Sequence, residues 1–291
     1  MFMRPFFSFL RNFLLLFLAM CFLLSGCAQK GQPQADSSLL DEPSDSHSTP
    51  SEASIDPIVS DIPALAPSVS SSSENSSHSL PKNPSSSDSF FDDAVFIGDS
   101  VSLKLKYYCM QQQKKGQPCL GQAQFLVSGN MGSGNALQPV SSDSIHPSYQ
   151  GKKALLEDSI AQMGASKVFI MLGMNDIGLY GMEASLQNLD SLIGRILEKS
   201  PSASIFLQSV TPMLKGSEHK ALNNTVIQEY NTRLQAYCLE KGYTYLDIAS
   251  KVRDQDGFLI PEYCSDPEAM GIHFTDLACS VWVDCLNDIA A

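Results

Sequence analysis

The sequence predicts an α/β domain built on a parallel sheet, and three observations support that prediction. Within residues 90–291, five short apolar segments have the length of buried strands, amphipathic helical patterns separate them, and no internal repeat is visible. Short strands that alternate with amphipathic helices are typical of βαβ units, in which helices cover both faces of a parallel sheet. The predicted strands are residues 94–97, 124–127, 167–172, 204–209 and 244–248.

Three segments of the domain carry the apolar spacing of helices that cover such a sheet. Apolar residues recur every three or four positions within residues 186–197 and within residues 222–238. The last pattern covers residues 276–289. This recurrence places the apolar side chains on one face of a helix, which can then pack against the sheet.

The first 27 residues are the predicted export signal. Arg4 and Arg11 supply positive charge, and residues 13–24 form a short apolar run. Twelve apolar residues are too few to span the roughly 30 Å hydrocarbon core of a bilayer, for which about 20 are needed. The pattern therefore favours a cleaved signal over a permanent transmembrane helix.

The apolar run ends at Leu24-Ser25-Gly26-Cys27, which resembles the lipobox of bacterial lipoproteins. In a lipobox, small residues precede a cysteine that is lipidated and becomes N-terminal after cleavage. The resemblance implies that Cys27 carries acyl chains and that the protein works outside the cell, anchored to the cell membrane. The alternative is an ordinary signal peptide in which Cys27 is incidental.

Residues 28–89 are predicted to be a disordered tether. These 62 residues contain 20 Ser and 8 Pro, no aromatic residue, and nine acidic against two basic side chains. Such a segment cannot bury enough apolar surface to offset the entropy lost on ordering. The tether would hold the domain of residues 90–291 away from the membrane, and those 202 residues are enough for one substantial core.

The acidic balance of the chain limits its partners. The 291 residues carry a formal net charge of −12. A protein that binds the phosphate backbone of a nucleic acid needs clustered Lys and Arg side chains. We therefore expect no nucleic-acid partner.

Small and polar residues follow three of the predicted strands and precede the last predicted helix. Because ligands of parallel α/β sheets bind at the carboxyl ends of the strands, these positions are candidates for a functional site. Each block alone is a weak signal, since Gly and Asn are common in loops, but the four in this order are much more specific. The blocks are Gly98-Asp99-Ser100, Ser128-Gly129-Asn130, Gly173-Met174-Asn175-Asp176 and Gly271-Ile272-His273-Phe274-Thr275.

Together the blocks resemble the SGNH hydrolase superfamily, also called GDSL esterases and lipases, over essentially all of residues 90–291. The resemblance implies a flavodoxin-like three-layer α/β/α sandwich with a five-stranded parallel sheet. It also implies that Ser100 is the nucleophile and His273 its base, and that the oxyanion hole consists of the Ser100 backbone N–H, Gly129 and Asn175. Because Ser100 is not in a Gly-x-Ser-x-Gly elbow, the α/β-hydrolase fold is disfavoured.

The histidine content supports the same base independently of the resemblance. A serine hydroxyl is a poor nucleophile unless an adjacent base takes its proton. His47 and His78 lie in the tether, and His146 and His219 lie in polar loop stretches. His273 is therefore the candidate base, with a hydrogen-bonded core histidine as its alternative role.

The other candidates also have alternative interpretations. Ser100 is suited to cap the helix after the first strand, and Asn175 is suited to a turn. Gly132 and Gly134 compete with Gly129 for the glycine position of the oxyanion hole. N–H donors at such a site contribute roughly 3 kcal/mol each to transition-state stabilisation.

One position departs from the family pattern. The family places an Asp three residues before the His, where it orients the imidazole, and that position here is Met270. Asp266 is the candidate replacement, although the loop must double back to reach His273, and a backbone carbonyl is the alternative partner. Glu268 is also nearby, whereas Asp276 is explained by the first turn of the last helix, with Thr275 as its cap.

The cysteines of the domain fit an exported protein but predict little else. Cys109 and Cys119 flank a polar turn at residues 111–118 that a disulfide would close, while small buried thiols are the alternative for all six cysteines. Cys279 and Cys285 are about 9 Å apart on the last helix, which is too far for a bridge. No Cys-x-x-Cys or His-Glu-x-x-His pattern is present, so we expect no metal and no cofactor.

The sequence as a whole predicts a membrane-anchored extracytoplasmic serine esterase that removes small acyl groups, such as acetyl, from carbohydrate. The ester chemistry follows from the family resemblance, and the carbohydrate substrate follows from the predicted location and tether. Its expected partners are an acylated carbohydrate or other ester substrate and the membrane that holds Cys27. A lipase or lysophospholipase is one alternative, and a catalytically weak glycan-binding envelope lipoprotein is the other.

Overall fold

A five-stranded parallel sheet forms the centre of the computed structural model, which describes residues 86–291. The strand order is β2-β1-β5-β6-β7, and a separate two-stranded hairpin pairs β3 with β4. The predicted signal, Cys27 and the predicted tether up to residue 85 lie outside the described residues. The strands are β1 (Ala94–Gly98), β2 (Gln124–Val127), β3 (Ser148–Tyr149), β4 (Lys152–Lys153), β5 (Lys167–Met171), β6 (Ser204–Gln208) and β7 (Thr244–Leu246).

Helices connect the strands and cover both faces of the sheet, so the predicted α/β class and parallel topology are confirmed. Each of the three helical patterns seen in the sequence corresponds to a helix of the structure. No helix within residues 86–291 is both long and apolar enough to cross a bilayer. The helices are α1 (Ser86–Ser89), α2 (Ser100–Lys114), α3 (Ser133–Ala136), α4 (Leu156–Met163), α5 (Met174–Tyr180), α6 (Met182–Lys199), α7 (Asn224–Lys241), α8 (Ala249–Val252) and α9 (Asp276–Asp288), with a short 3₁₀ turn at Pro261–Tyr263.

The alternation of side chains along the strands divides the core into two layers. Val95 and Ile97 of β1 pack with α4, α6 and α7, whereas Phe96 faces the layer that contains α2 and α9. In that second layer, aligned strand positions stack phenylalanine rings across the sheet. Phe96 lies 4.6 Å from Phe169, and Phe169 lies 4.4 Å from Phe206, measured between ring centroids. This stack fixes the register of the three central strands.

The order of the strands reverses between β1 and β5. These strands are neighbours, but the chain leaves β1 toward β2 on one side and later returns to β5 on the other. Such a reversal of strand order opens a crevice at the carboxyl ends of the strands, where ligands of this architecture bind. The loops that follow β1 and β5 both reach this crevice.

Three local features differ from the sequence prediction. The last four residues of the predicted tether form α1, where Asp88 accepts a hydrogen bond of 2.7 Å from the Gly121 N–H. The predicted polar turn at residues 111–118 is wrong in its first half, because α2 continues to Lys114. β7 ends two residues early, since the Asp247 carboxylate accepts the Ser250 N–H and turns the chain into α8.

The six cysteines of the described residues are free thiols. Cys109 and Cys119 are nevertheless neighbours, and both are buried. The turn between them is therefore closed by contact rather than by a covalent bridge in this structure.

The junction between β1 and α2 contains a buried carboxyl group. Asp99, not Ser100, is the N-cap of α2, and its side chain accepts the Val101 N–H at 3.0 Å. Gly98 precedes it because a side chain there would collide with Ser102. Burial raises the pKa of Asp99 to about 7, although the Val101 N–H and the nearby His273 act in the opposite direction.

We predict that Asp99→Asn stabilises the protein more at pH 8 than at pH 4. The unfolded chain ionises Asp99 near pH 4 and the folded protein only near pH 7, so the folded state binds the proton more tightly across that window. The wild-type free energy of unfolding therefore falls as pH rises from about 4 to about 7, by up to about 4 kcal/mol from this group. Asparagine keeps the cap and removes the ionisation. Urea unfolding at several pH values measures the difference.

Asp143→Asn is the matched control, because Asp143 is an exposed loop carboxylate. A stability difference between Asp99→Asn and wild type that stays constant from pH 4 to pH 8 would contradict the buried ionisation of Asp99.

Candidate active site

The structure brings Ser100 and His273 into contact although 172 residues separate them in the chain. Ser100 is the first residue of α2, directly after β1, and its side chain is partly exposed. The His273 Nε2 atom lies 2.9 Å from the Ser100 Oγ atom. A hydroxyl and an imidazole at this distance are placed for transfer of the hydroxyl proton.

Asp266 lies on the other side of the His273 ring. Its Oδ2 atom is 2.7 Å from His273 Nδ1, and its Oδ1 atom accepts the backbone N–H groups of Ile272 and His273 at 3.1 and 3.0 Å. Burial acts to raise the pKa of Asp266, but the hydrogen bonds from the His273 ring and backbone outweigh it and hold that pKa below its ordinary value. The ionised carboxylate accepts a hydrogen bond from Nδ1–H, so the ring proton stays on Nδ1 and Nε2 is the acceptor that faces Ser100 Oγ.

The loop that carries Asp266 doubles back on itself. Cys264 and Phe274 form an antiparallel bridge at its base, and the Ser265 N–H donates to the His273 carbonyl at 2.8 Å. Within the loop, the Gly271 N–H donates to the Asp266 carbonyl at 3.1 Å. These bonds bring two residues that are seven apart in sequence side by side.

The other candidates for the acidic position lie elsewhere. Met270, at the family position of the acid, has a side chain that is half exposed, and Glu268 is exposed. Asp276 is in the first turn of α9, where Thr275 is the N-cap, and it forms an ion pair of 2.6 Å with Lys104. The structure therefore places Asp266 alone of these acids on the ring of His273.

The segment that carries His273 is fixed from two sides. The Leu214 N–H, from the loop after β6, donates to the Gly271 carbonyl at 2.7 Å. On the other side Phe274 is fully buried against Trp282 of α9, whose indole N–H donates to Gln208 at 2.8 Å. The ring of His273 is thus positioned by the core rather than by a free loop.

Asn175 reaches the same crevice from the loop after β5. Gly173 precedes it with a φ of 143°, a conformation that only glycine adopts readily, and its Cα lies against Tyr230 and Val210. One N–H of the Asn175 amide donates to the Met131 carbonyl at 3.1 Å. The amide nitrogen also lies 3.4 Å from Asp99 Oδ2, a long and weak contact.

Gly129 lies beside Ser100 but in an unexpected arrangement. The Ser100 N–H, a predicted oxyanion donor, donates to the Gly129 carbonyl at 3.0 Å. The Gly129 N–H has no acceptor within the described part of the chain. The rival glycines are engaged, since the Gly132 N–H donates to the Asn135 side chain and the Gly134 N–H donates to Asp176.

Sequence reasoning missed the role of Asp176. This carboxylate is completely buried and accepts hydrogen bonds from the Ser133 N–H, the Ser133 hydroxyl and the Gly134 N–H, at 2.9 to 3.1 Å. It therefore ties the loop after β2, which carries Gly129, to the loop after β5, which carries Asn175. The signal in the sequence was an acid next to Asn175, where a buried charge needs several donors.

The remaining described histidines lie outside this cluster. His146 is buried, with Nε2 3.0 Å from the Ala136 carbonyl, and His219 is exposed. No group of three His, Cys, Asp or Glu side chains within residues 86–291 is arranged to hold a metal ion. The described cluster is a Ser–His–Asp relay with amide donors beside it, an arrangement that can activate a serine toward an acyl carbonyl.

A family model supports this chemistry. Residues 140–278 match the GDSL-like lipase/acylhydrolase family, a range that includes Asn175, Asp266 and His273 but begins after Ser100 and Gly129. The search of curated proteins finds no match.

Solved structures share the fold. One from Streptococcus pneumonia, whose name refers to platelet activating factor, is 20% identical, covers 70% of this chain and 91% of its own, and has a TM-score of 0.50. A GDSL-like lipase from Bacteroides thetaiotaomicron is 16% identical, with 68% and 86% covered and a TM-score of 0.46. An acetyl xylan esterase is 12% identical, with 67% and 98% covered and a TM-score of 0.48. Residues 140–278 are therefore similar to the GDSL-like lipase/acylhydrolase family, and the chain shares the α/β fold of the solved structure from Streptococcus pneumonia.

Proposed function

We propose that this protein is a membrane-anchored extracytoplasmic serine esterase that removes small acyl groups from carbohydrate. The observation that carries the catalytic part of the proposal is the continuous contact from Ser100 Oγ to His273 Nε2 and from His273 Nδ1 to Asp266. A protein that only binds glycan has no need of such a relay.

The relay supports a two-step acyl transfer. Ser100 Oγ attacks the ester carbonyl while its proton moves to His273 Nε2, and Asp266 stabilises the imidazolium that forms. The tetrahedral intermediate then collapses, the alcohol leaves with the proton from His273, and an acyl-serine remains. A water molecule, deprotonated by the same His273, hydrolyses the acyl-serine and releases the carboxylic acid.

The donors for the negative oxygen are the Gly129 N–H and the second N–H of Asn175. The first has no competing acceptor among the described residues, and the second is held only by the 3.4 Å contact with Asp99. The Ser100 N–H joins them only if it leaves the Gly129 carbonyl. Two available donors at a partly desolvated site are enough for strong stabilisation of the oxyanion.

The core beneath Asp99, the residue before the nucleophile, is closed to an acyl group. The void beside Asp99, bounded by Met171, Met174 and Val210, is too small to hold even a water molecule. A long acyl chain would have no channel there. The carbohydrate part of the substrate is supported by the predicted export signal and tether, which would present the domain to envelope or environmental glycans.

We predict that the mature chain hydrolyses 4-nitrophenyl acetate with a higher kcat/KM than the octanoate or palmitate esters, and that Ser100→Ala abolishes both this hydrolysis and labelling by a serine-directed organophosphonate. The reason is that Ser100 Oγ is the attacking atom and the void beneath its neighbour Asp99 is too small for an acyl chain. Rates on the ester panel and mass spectrometry of the labelled protein are the measurements.

Ser142→Ala is the matched control, since Ser142 is exposed in a loop. A long-chain preference would favour a lipase, silence on every ester would favour the glycan-binding alternative, and persistent labelling of Ser100→Ala would place the nucleophile elsewhere.

We predict that Asp266→Asn lowers kcat/KM on an acetyl ester by up to ~10⁴, because the neutral amide has no charge to stabilise the imidazolium and its NH2 group favours the wrong tautomer of His273. Glu268→Gln is the control, as Glu268 is exposed in the same loop. Circular dichroism is the check that both variants are folded. A loss smaller than about tenfold in Asp266→Asn would be the size of one weak hydrogen bond and would leave a Ser100–His273 dyad.

We predict that Cys27→Ser blocks lipid attachment and releases the protein from the membrane, because the thiol is the acylated group of a lipobox. Incorporation of radiolabelled fatty acid and the distribution between membrane and medium are the measurements. Cys21→Ser, within the same signal, is the control that retains the label. Incorporation of label into Cys27→Ser would refute the lipobox.

A further inference from the structure

We propose that a polar groove beside α7 binds the sugar chain of the ester substrate, away from the acyl group itself. This inference rests on the proposed function and extends it to a binding site. The α7 groove lies between α7 and the segment after β7, and its floor and walls include Gln228, Asn231, Tyr245, Asp247, Arg253 and Phe258.

The groove has the size and lining of a site for a hydroxyl-rich ligand. Its volume is about 330 Å³, which is within the range of small-molecule sites. Amide, hydroxyl and carboxylate side chains dominate its walls, and the rings of Tyr245 and Phe258 supply two apolar surfaces. A sugar is complementary to this lining, because its hydroxyl groups form hydrogen bonds with planar polar side chains and its C–H faces pack on aromatic rings.

Arg253 supplies hydrogen-bond donors that the protein itself does not use. Of the three arginines within residues 86–291, Arg195 contacts Glu157 and the Leu137 carbonyl, and Arg233 pairs with Glu183 and Glu229. The Arg253 guanidinium has no hydrogen bond or ion pair with any described residue. Its planar donors therefore remain available to a ligand in the groove.

The charge of the groove argues for a neutral ligand. Glu218, Asp247 and Asp256 line it together with Arg253, and Lys215 pairs with Asp256 at 3.9 Å, so the three carboxylates outnumber the two cations. A phosphate or a carboxylate ligand would meet repulsion from these acids. Neutral sugar hydroxyls can donate to the carboxylates and accept from Arg253 at the same time.

The groove is close enough to Ser100 for one substrate to occupy both places. Both lie at the carboxyl edge of the sheet. The near edge of the groove, at Val210 beyond β6, is two strands from β1, a separation of about 10 Å at the usual strand spacing. Val210, directly beyond β6, lines both the α7 groove and the void beside Asp99. A chain of a few sugar units can span this distance.

The wall between the two places is rigid. The amide side chain of Asn231 bonds both the N–H and the carbonyl of Val210, each at 2.8 Å. Asn224, two turns earlier on α7, bonds the N–H and the carbonyl of Met213 at 2.7 and 2.9 Å. A preformed wall requires little ordering when ligand binds, which favours affinity.

The test compares kcat/KM on an O-acetylated xylotetraose with kcat/KM on 4-nitrophenyl acetate, using the full mature chain. We expect the ratio of the two to fall about tenfold or more in Arg253→Ala and in Gln228→Ala, because each removes hydrogen bonds made only to the sugar chain. Arg233 is an exposed arginine on α7 that lies outside the groove, so Arg233→Ala should keep the wild-type ratio. An unchanged ratio in both groove variants would overturn the proposal.

A direct binding measurement separates this proposal from the proposed esterase function. Calorimetric titration of Ser100→Ala with unacetylated xylotetraose and chitotetraose reports the groove without any catalysis. Binding of either sugar that weakens in the double variant Ser100→Ala/Arg253→Ala supports the groove, whatever the ester panel shows. Absence of binding of both sugars, or binding that does not depend on Arg253, overturns it.

Discussion

The hydrogen bonds that converge on Asp266 are the interaction on which the active site depends. One carboxylate accepts the His273 ring proton and two backbone N–H groups of the same segment. The same side chain thereby closes the loop and orients the ring of His273. A hydrogen bond from the Leu214 N–H to the Gly271 carbonyl joins this loop to the segment after β6. The core of the protein therefore determines where the Nε2 atom meets Ser100.

Two further buried carboxylates hold the other loops of the site in the same way. Asp99 accepts a backbone N–H at the start of α2, next to Ser100. Asp176 accepts two backbone N–H groups of α3 and so holds the loop of Gly129 against the loop of Asn175. Short loops at the end of a sheet have few apolar contacts, and carboxyl acceptors of backbone N–H groups replace them. Such contacts fix donors before the substrate arrives, which is the condition for electrostatic catalysis.

Local patterns in the sequence were sufficient for the five strands of the parallel sheet and for α6, α7 and α9, because apolar periodicity needs no knowledge of distant contacts. The hairpin of β3 and β4 and the short helices α3 and α8 were not predicted. Features that depend on distant partners were left with open alternatives by the sequence. The position of Asp266 on His273 requires the bridge between Cys264 and Phe274, which no spacing in the sequence specifies. The choice of Gly129 over Gly132 and Gly134 depends on which N–H groups already have acceptors. The bond from Ser100 to the Gly129 carbonyl likewise joins two loops that the sequence treats separately.

The role of Asp266 is tested most directly by ¹⁵N NMR of the histidine side chains in the mature chain at neutral pH. The His273 signal is assigned by its loss in His273→Asn. We expect the His273 ring to be in the Nδ1–H tautomer, with a proton that exchanges slowly because it is hydrogen-bonded to Asp266. A ring in the Nε2–H tautomer, or one that averages rapidly between the two, would contradict the central claim that Asp266 sets the base for Ser100.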